Sequence, residues 1–132
     1  MLAVTNIENH RLMIEFLFWT GIRPGEMEAL AWEDIDMTEG MLKVHYNIYR
    51  LGQLKPPKTL AGYRTIELLP TAIAVLKRQR EMTFMLPARL EVLHMRHNKK
   101  REEMRRRVFL GRENMPYLKP ELFTVPGYWA GL

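Results

Sequence analysis

Arg23 stands immediately before a proline, in the run Thr20-Gly21-Ile22-Arg23-Pro24-Gly25-Glu26. The proline pushes Arg23 toward an extended backbone and suits the first position of a new helix, so a guanidinium is delivered to the break between two helices, beside the free N–H groups of the second. The planar fork of a guanidinium pairs two oxygens of one anion at once, a geometry matched to phosphate. The plain structural alternative is a link from Arg23 to Glu26, Asp34 or Asp36. A second basic feature is the segment RHNKKREEMRRR, Arg96 to Arg107, which holds seven Lys/Arg against two Asp/Glu and so accounts for the whole net charge of +5. Such a stripe meets nucleic acid phosphates through counterion release, or else is a solvated helix face or loop. His94 and His97 could ligate a metal by type, but with no third ligand signal they read as surface residues, and no metal is expected.

The elements that must position these residues follow from pattern. The 132 residues contain no cysteine, which excludes disulfides and thiolate zinc sites and points to a reducing cytoplasm. The N-terminus lacks a basic-then-apolar leader. The longest apolar run, LMIEFLFWTGI, is broken by Glu15 and falls short of the roughly 20 residues that span a bilayer, so no membrane partner is expected. Thr5-Asn6-Ile7-Glu8 matches a capping box, and Ile7, Ile14, Leu17 and Phe18 share a helical face, which predicts a helix from about Asn6 to Trp19 with FLFW in the central core. Gly21 supplies its stop, and a short helix follows from Pro24 to about Trp32. Strict alternation in MLKVHYNIY, with Leu42, Val44, Tyr46 and Ile48 on one side, predicts a half-buried strand, and RTIELL (Arg64 to Leu69) a second, pairing as an antiparallel ribbon. The connection between them, rich in proline and glycine, is exposed, with room for a short strand. A third helix runs from Thr71 to about Leu86, stopped by Pro87; the basic segment continues as a further helical piece, and RVFL reads as a short edge strand. The stretch from residue 110 to 132, with three prolines and the bulky Tyr117, Phe123, Tyr128 and Trp129, reads as an extended arm.

TGIRPGEMEALAWEDID, then a strand, then PPKTLAGYRTIELLP, resembles the first half of the catalytic domain of tyrosine recombinases, the phage integrase family. The resemblance covers about residues 6 to 80 and rests on two motifs in matching order. It implies that Arg23 is the first catalytic arginine, that Lys58 of the Pro-Lys-Thr run is the hairpin lysine, with Lys55 its neighbour, and that Glu26 supports the arginine without reacting. Read without the motif, Lys58 is a solvated loop lysine. The implied fold is α+β, mainly helical with a small antiparallel sheet of two to three strands, as part of the integrase catalytic core. The implied chemistry is site-specific DNA recombination through a phosphotyrosyl intermediate, which needs no cofactor because the bond energy is kept in the covalent link. The arginine offsets charge on the non-bridging oxygens and the lysine protonates the departing 5′-oxygen. Double-stranded DNA is the expected partner, met by Lys55, Thr59, Arg64, Arg105, Arg106 and Arg107, with the chain in a bacterial cytoplasm and on the nucleoid.

The departures from the family's pattern carry equal weight. The family's His-x-x-Arg box is absent from these 132 residues, since His94-x-Arg96 and His97-x-x-Lys100 have the wrong spacing or the wrong cation. Tyr117 and Tyr128 precede the place where that box would begin and read as packing or arm residues, not nucleophiles. The expectation is therefore a single partial domain over 1–132, a fragment of a phage or prophage-type integrase that is inactive alone. Its uncovered apolar faces, or the arm, should drive self-association. The alternatives are a non-catalytic basic nucleic-acid-binding module and a purely structural protein.

Overall fold

The structure, a computed structural model, describes residues 2–48, 53–83 and 85–111. The first helix, α1 (Leu2–Thr20), begins before the expected capping box, so that Thr5 and Asn6 lie inside it. Its Glu8 receives the guanidinium of Arg78 from a later helix, with Arg78 Nη2 donating to Glu8 Oε2 at 3.0 Å. Of the FLFW run only Phe16 is central core. Phe18 is 76% exposed and Trp19 39%, which corrects the reading of that run as buried all round. A helix packed on one side covers one stripe, and the partner here, α3 (Pro70–Thr83), meets the stripe of Leu12, Met13 and Phe16. After Gly21 the chain turns into α2 (Pro24–Ala29), shorter than expected.

The alternating MLKVHYNIY run buries Leu42, Val44, Tyr46 and Ile48, as its period requires, but it serves two sheets. Its first part, β2 (Met41–Val44), lies between β1 (Ile35–Asp36) and β5 (Arg64–Glu67) in a three-stranded antiparallel sheet, with Leu42 opposite Ile66. Its continuation, β3 (Asn47–Ile48), starts a four-stranded sheet through β4 (Leu54–Lys55), β6 (Arg89–His94) and β7 (Lys100–Arg105). Within that sheet β4 and β6 run parallel, pairing the buried Leu54 and Leu93. The chain is thus an α+β fold with small, mainly antiparallel sheets.

The basic segment departs most from expectation. It forms a hairpin, not a helix, with β6 and β7 paired from Arg89↔Arg105 to His94↔Lys100. The hairpin turns through Arg96-His97-Asn98-Lys99, where Lys99 N–H donates to the Arg96 carbonyl and His97 and Asn98 both have φ near +60°, the signature of a type I′ turn. Arg101, Glu103 and Arg105 share one face of β7 by the two-residue period. The cationic end of that face is buried: the Arg105 side chain is 1% exposed, with Arg105 Nη2 donating to Asp34 Oδ2 at 2.7 Å and to the Ala29 carbonyl at 3.1 Å. Arg107 is equally enclosed and donates from Nη1 to the Glu28 carbonyl at 2.6 Å and from Nε to Glu91 Oε2 at 2.9 Å.

RVFL is correspondingly not an edge strand. Arg107 makes a single antiparallel bridge to Ala31, and Val108 and Phe109 then bend inward to full burial, with the Phe109 ring 5.4 Å from that of Phe16. Gln79 of α3 donates to the Asn9 side chain and to the Val108 carbonyl, closing this segment over both helices. The arm from residue 112 onward lies outside the described residues. Among the described residues no helix is long and apolar enough to cross a membrane.

The burial of Arg105 generates a stability test. Arg105→Ala strands Asp34 and uncaps Ala29, and should lower the unfolding free energy by about 3–5 kcal/mol. Arg106→Ala removes only an exposed pair with Glu33 and should cost less than about 1 kcal/mol. Chemical denaturation of the two variants reads the contrast.

Candidate functional site

The break after α1 places Arg23 as intended by its sequence: its backbone is extended, at φ −77° and ψ 149°, and its side chain is exposed. Across from it stands the connection between the two sheets, and the two sides enclose an open cleft of about 790 Å³. Arg23, Glu26, Lys55, Lys58, Thr59 and Arg64 all line it, so the residues separately expected to contact phosphate converge on one concavity. Arg105, Arg106 and Arg107 do not. Arg105 and Arg107 are locked into buried carboxylate and carbonyl contacts, and Arg106 is held by Glu33, with its backbone N–H and Nε donating at 2.8 and 3.0 Å. Arg105 and Arg107 thus turn their guanidiniums into the fold, whereas Arg106 stays half exposed beside Glu33 and away from this cleft.

Glu26 organises one side of the cleft. It is buried, and its carboxylate accepts two parallel hydrogen bonds from Arg64, Nη2 to Oε1 at 2.8 Å and Nη1 to Oε2 at 3.0 Å, plus one from the Arg23 backbone N–H at 2.9 Å. Burial pushes the Glu26 carboxyl up, but the hydrogen bonds from Arg64 and from the Arg23 amide together outweigh it and hold the group below its ordinary value. Glu26 is therefore a carboxylate at neutral pH, and its hydrogen bonds in turn raise Arg64 above the usual arginine range. Arg64, expected as a DNA contact, is thus largely engaged as the partner of Glu26, although it still lines the cleft.

Arg23 is linked to Glu26 through its backbone amide and by charge, but not through a guanidinium ion pair. Glu26 binds the Arg23 amide while its oxygens face Arg64, Asp34 is taken by Arg105, and Asp36 accepts from the Glu39 N–H. Among the described residues neither the Arg23 guanidinium nor the Lys58 ammonium enters an ion pair. Four cations lining the cleft against one carboxylate leave a strong positive excess.

Two glycines set the walls. A Cβ on Gly62 would come within 2.3 Å of Pro57 Cβ, part of a rigid ring, so only glycine lets the turn at Leu60–Gly62 pack on the Pro56-Pro57-Lys58 loop. A Cβ on Gly25 would meet Asn47 Oδ1 at 2.2 Å, which fixes α2 against β3. Sequence reading passed over Asn47, which lines the cleft, and Arg96, whose Nη2 donates to the Lys58 carbonyl at 3.2 Å and so supports the lysine loop from the distant hairpin. Alternation assigned Asn47 to the polar side of its strand, and nothing local marks Arg96. Among the described residues no group of three or more His, Asp or Glu side chains could hold a metal.

Comparison with known proteins places these observations. The Phage integrase family model matches residues 2–121. Over 69 residues the chain is 45% identical to the prophage integrase IntR of Escherichia coli (strain K12), covering 52% of this chain and 17% of that protein. It is 35% identical over 88 residues to the putative defective protein IntQ of the same organism, covering 66% of this chain and 22% of that protein. The chain thus spans about a fifth of the length of these two relatives. In fold it is similar to the Tn1549 transposon integrase in complex with transposon right end DNA, with a TM-score of 0.62 at 21% identity over 82% of this chain and 32% of that one. It is also similar to the XerA recombinase, with a TM-score of 0.57 at 13% identity over 96% of this chain and 35% of that one.

The electrostatics of Glu26 carry a pH test. A carboxyl held below its ordinary value adds stability that is complete above that value, about pH 4.5, and is lost as the pH falls through its lower folded value. Glu26→Gln should therefore be less stable than wild type at neutral pH, and the gap should narrow below pH 4.5. Denaturation curves at pH 7 and pH 3 check this, and a gap that stays constant would contradict it.

Proposed function

This chain belongs to the phage integrase family, and from that premise we propose that it forms part of the DNA phosphate site of a site-specific recombinase of the phage or prophage type. The observation that carries the reading is the shared cleft: Arg23 and Lys58, far apart in sequence, line one concavity with their charged tips unpaired among the described residues. In the proposed reaction a tyrosine oxygen attacks the phosphorus of a DNA phosphodiester. The tyrosyl P–O bond forms, its phenolic proton passing to solvent, as the bond to the 5′-oxygen breaks; that oxygen takes a proton from Lys58, which solvent then restores. Arg23 sits beside the scissile phosphate and offsets charge gathering on its non-bridging oxygens. Glu26 and Arg64 are positioning residues, acting on Arg23 through its backbone and on the cleft wall. No cofactor takes part, and the partner is double-stranded DNA in a bacterial cytoplasm.

Within these 132 residues there is no His-x-x-Arg box, and neither Tyr117 nor Tyr128 has the setting of a nucleophile. The 132-residue chain alone therefore binds DNA without cutting it. The alternative, a basic binding module acting through the stripe from Arg96 to Arg107, loses Arg105 and Arg107 to burial and is left with the exposed cations of that stripe.

Two outcomes test this reading. Incubated with a nicked suicide duplex, the chain should give no protein-linked strand on a denaturing gel, and a linked strand would contradict the proposal. Arg23→Ala and Lys58→Ala should each reduce the slope of log affinity against log salt by about 1 for duplex DNA, without regard to sequence.

We propose also that the chain self-associates through the groove between α1 and α3, where Phe18 and Trp19 are exposed beside Leu12, Leu17 and Val75. Light scattering should show a concentration-dependent mass that Phe18→Ser lowers. A monomer at high concentration would oppose this.

A further inference from the structure

The β6–β7 hairpin disposes of its charge in two ways. Along β7 and just past it, arginines are matched: Arg101 with Glu103, Arg105 with Asp34 and Glu103, Arg106 with Glu33, Arg107 with Glu91. At its tip the cations are not. A second cleft, of about 780 Å³, lies between the tip and the Pro56-Pro57-Lys58 loop, and its charged or ionisable lining is Lys55, Lys58, His94, Arg96, Lys99 and Lys100. No carboxylate among the described residues lines it. Lys99 and Lys100 are exposed and enter no ion pair among the described residues, and Arg96 spends its contacts on the Pro57 and Lys58 carbonyls. The two clefts share Lys55, Pro56, Pro57 and Lys58, so they are the two sides of one loop.

We infer that the hairpin tip is a second phosphate-contact surface, through which Lys99 and Lys100 grip the DNA backbone beside the phosphate held in the Arg23–Lys58 cleft. Several like charges held together with no internal counter-charge repel one another, and a polyanion laid along them relieves that repulsion and releases its own counterions. A small anion would need enclosed donors. An open groove bordered by flexible ammonium groups suits a continuous phosphate backbone better, and contacts of this kind position a duplex without reading its sequence. Arg96 Nη2 ties the tip to the lysine loop through the Lys58 carbonyl, so a duplex seated on the tip also lies beside Lys58. The choice of DNA as occupant rests on the reading of the first cleft given above.

The test is the salt dependence of duplex binding by the full 132-residue chain. Lys99→Ala with Lys100→Ala should lower the log–log slope by about 2, so that raising salt from about 50 to 200 mM costs roughly tenfold less affinity than in wild type. Lys99→Arg with Lys100→Arg should restore the slope, and Arg11→Ala with Lys77→Ala, an equal loss of charge on the exposed surface of α1 and α3, should leave it unchanged. Both lysines are exposed, so circular dichroism and unfolding midpoints should match wild type. An unchanged slope for the Lys99/Lys100 pair, with reduced slopes for Arg23→Ala and Lys58→Ala, overturns this inference and leaves the first-cleft reading standing. The reverse pattern upholds the hairpin contact and overturns that reading. Loss of binding to phosphatidylserine vesicles with no change on DNA overturns the inference in favour of a membrane surface, and absence of any DNA binding by wild type at low salt overturns both.

Discussion

The last two carbonyls that α2 offers, those of Glu28 and Ala29, are received by the guanidiniums of Arg107 and Arg105. A helix of six residues has almost no internal hydrogen bonding to sustain it, and its C-terminal end concentrates partial negative charge. Two buried cations meet that charge, and carboxylates from Asp34, Glu91 and Glu103 hold them in place. The short helix is therefore built as much by the hairpin as by its own residues. Since Arg23 stands at the opposite end of the same helix, the geometry of the candidate site depends on a buried ion-pair network on the far side of α2.

The network also explains why the chain tolerates so much charge near its core. Arg105 lies 5.1 Å from the Tyr46 ring centroid, and burial holds the Tyr46 hydroxyl above its usual pKa. Arg101 Nη2 donates to the Tyr46 hydroxyl, so the β7 arginines stack along one aromatic side chain that joins the two sheets. Burial works against the charge on Arg105, and Asp34 more than restores it. Partners are supplied for every cation that turns inward, whereas Arg23 and Lys58 at one cleft and Lys99 and Lys100 at the other are left facing solvent. That division separates arginines that build the fold from cations the fold leaves unmatched.

Much of the framework was legible because it rests on local chemistry. X-Pro sterics put Arg23 in an extended backbone, a two-residue period buried Leu42, Val44, Tyr46 and Ile48, and the TGIRPGE and PPKT motifs singled out Arg23 and Lys58, which line one cleft. The basic segment misled because KREEMR has weak strand propensity and reads equally well as a solvated helix. Its strand state comes from cross-strand pairing with RLEVLH and from Asp34, which stands far from it in sequence. FLFW misled for the opposite reason: its composition suits a core, but only one side of α1 has α3 to pack against.

From the sequence alone came the family resemblance, the residue types lining the candidate cleft and the periodicity of the first sheet, since each depends on neighbours within a few positions. Tertiary structure decided which cations remain available. A guanidinium is available or spent according to whether a carboxylate or carbonyl lies within about 3 Å of it, and for Arg105 and Arg107 those oxygens belong to residues up to 79 positions away. Composition counts charges, and only the fold determines which of them are already neutralised.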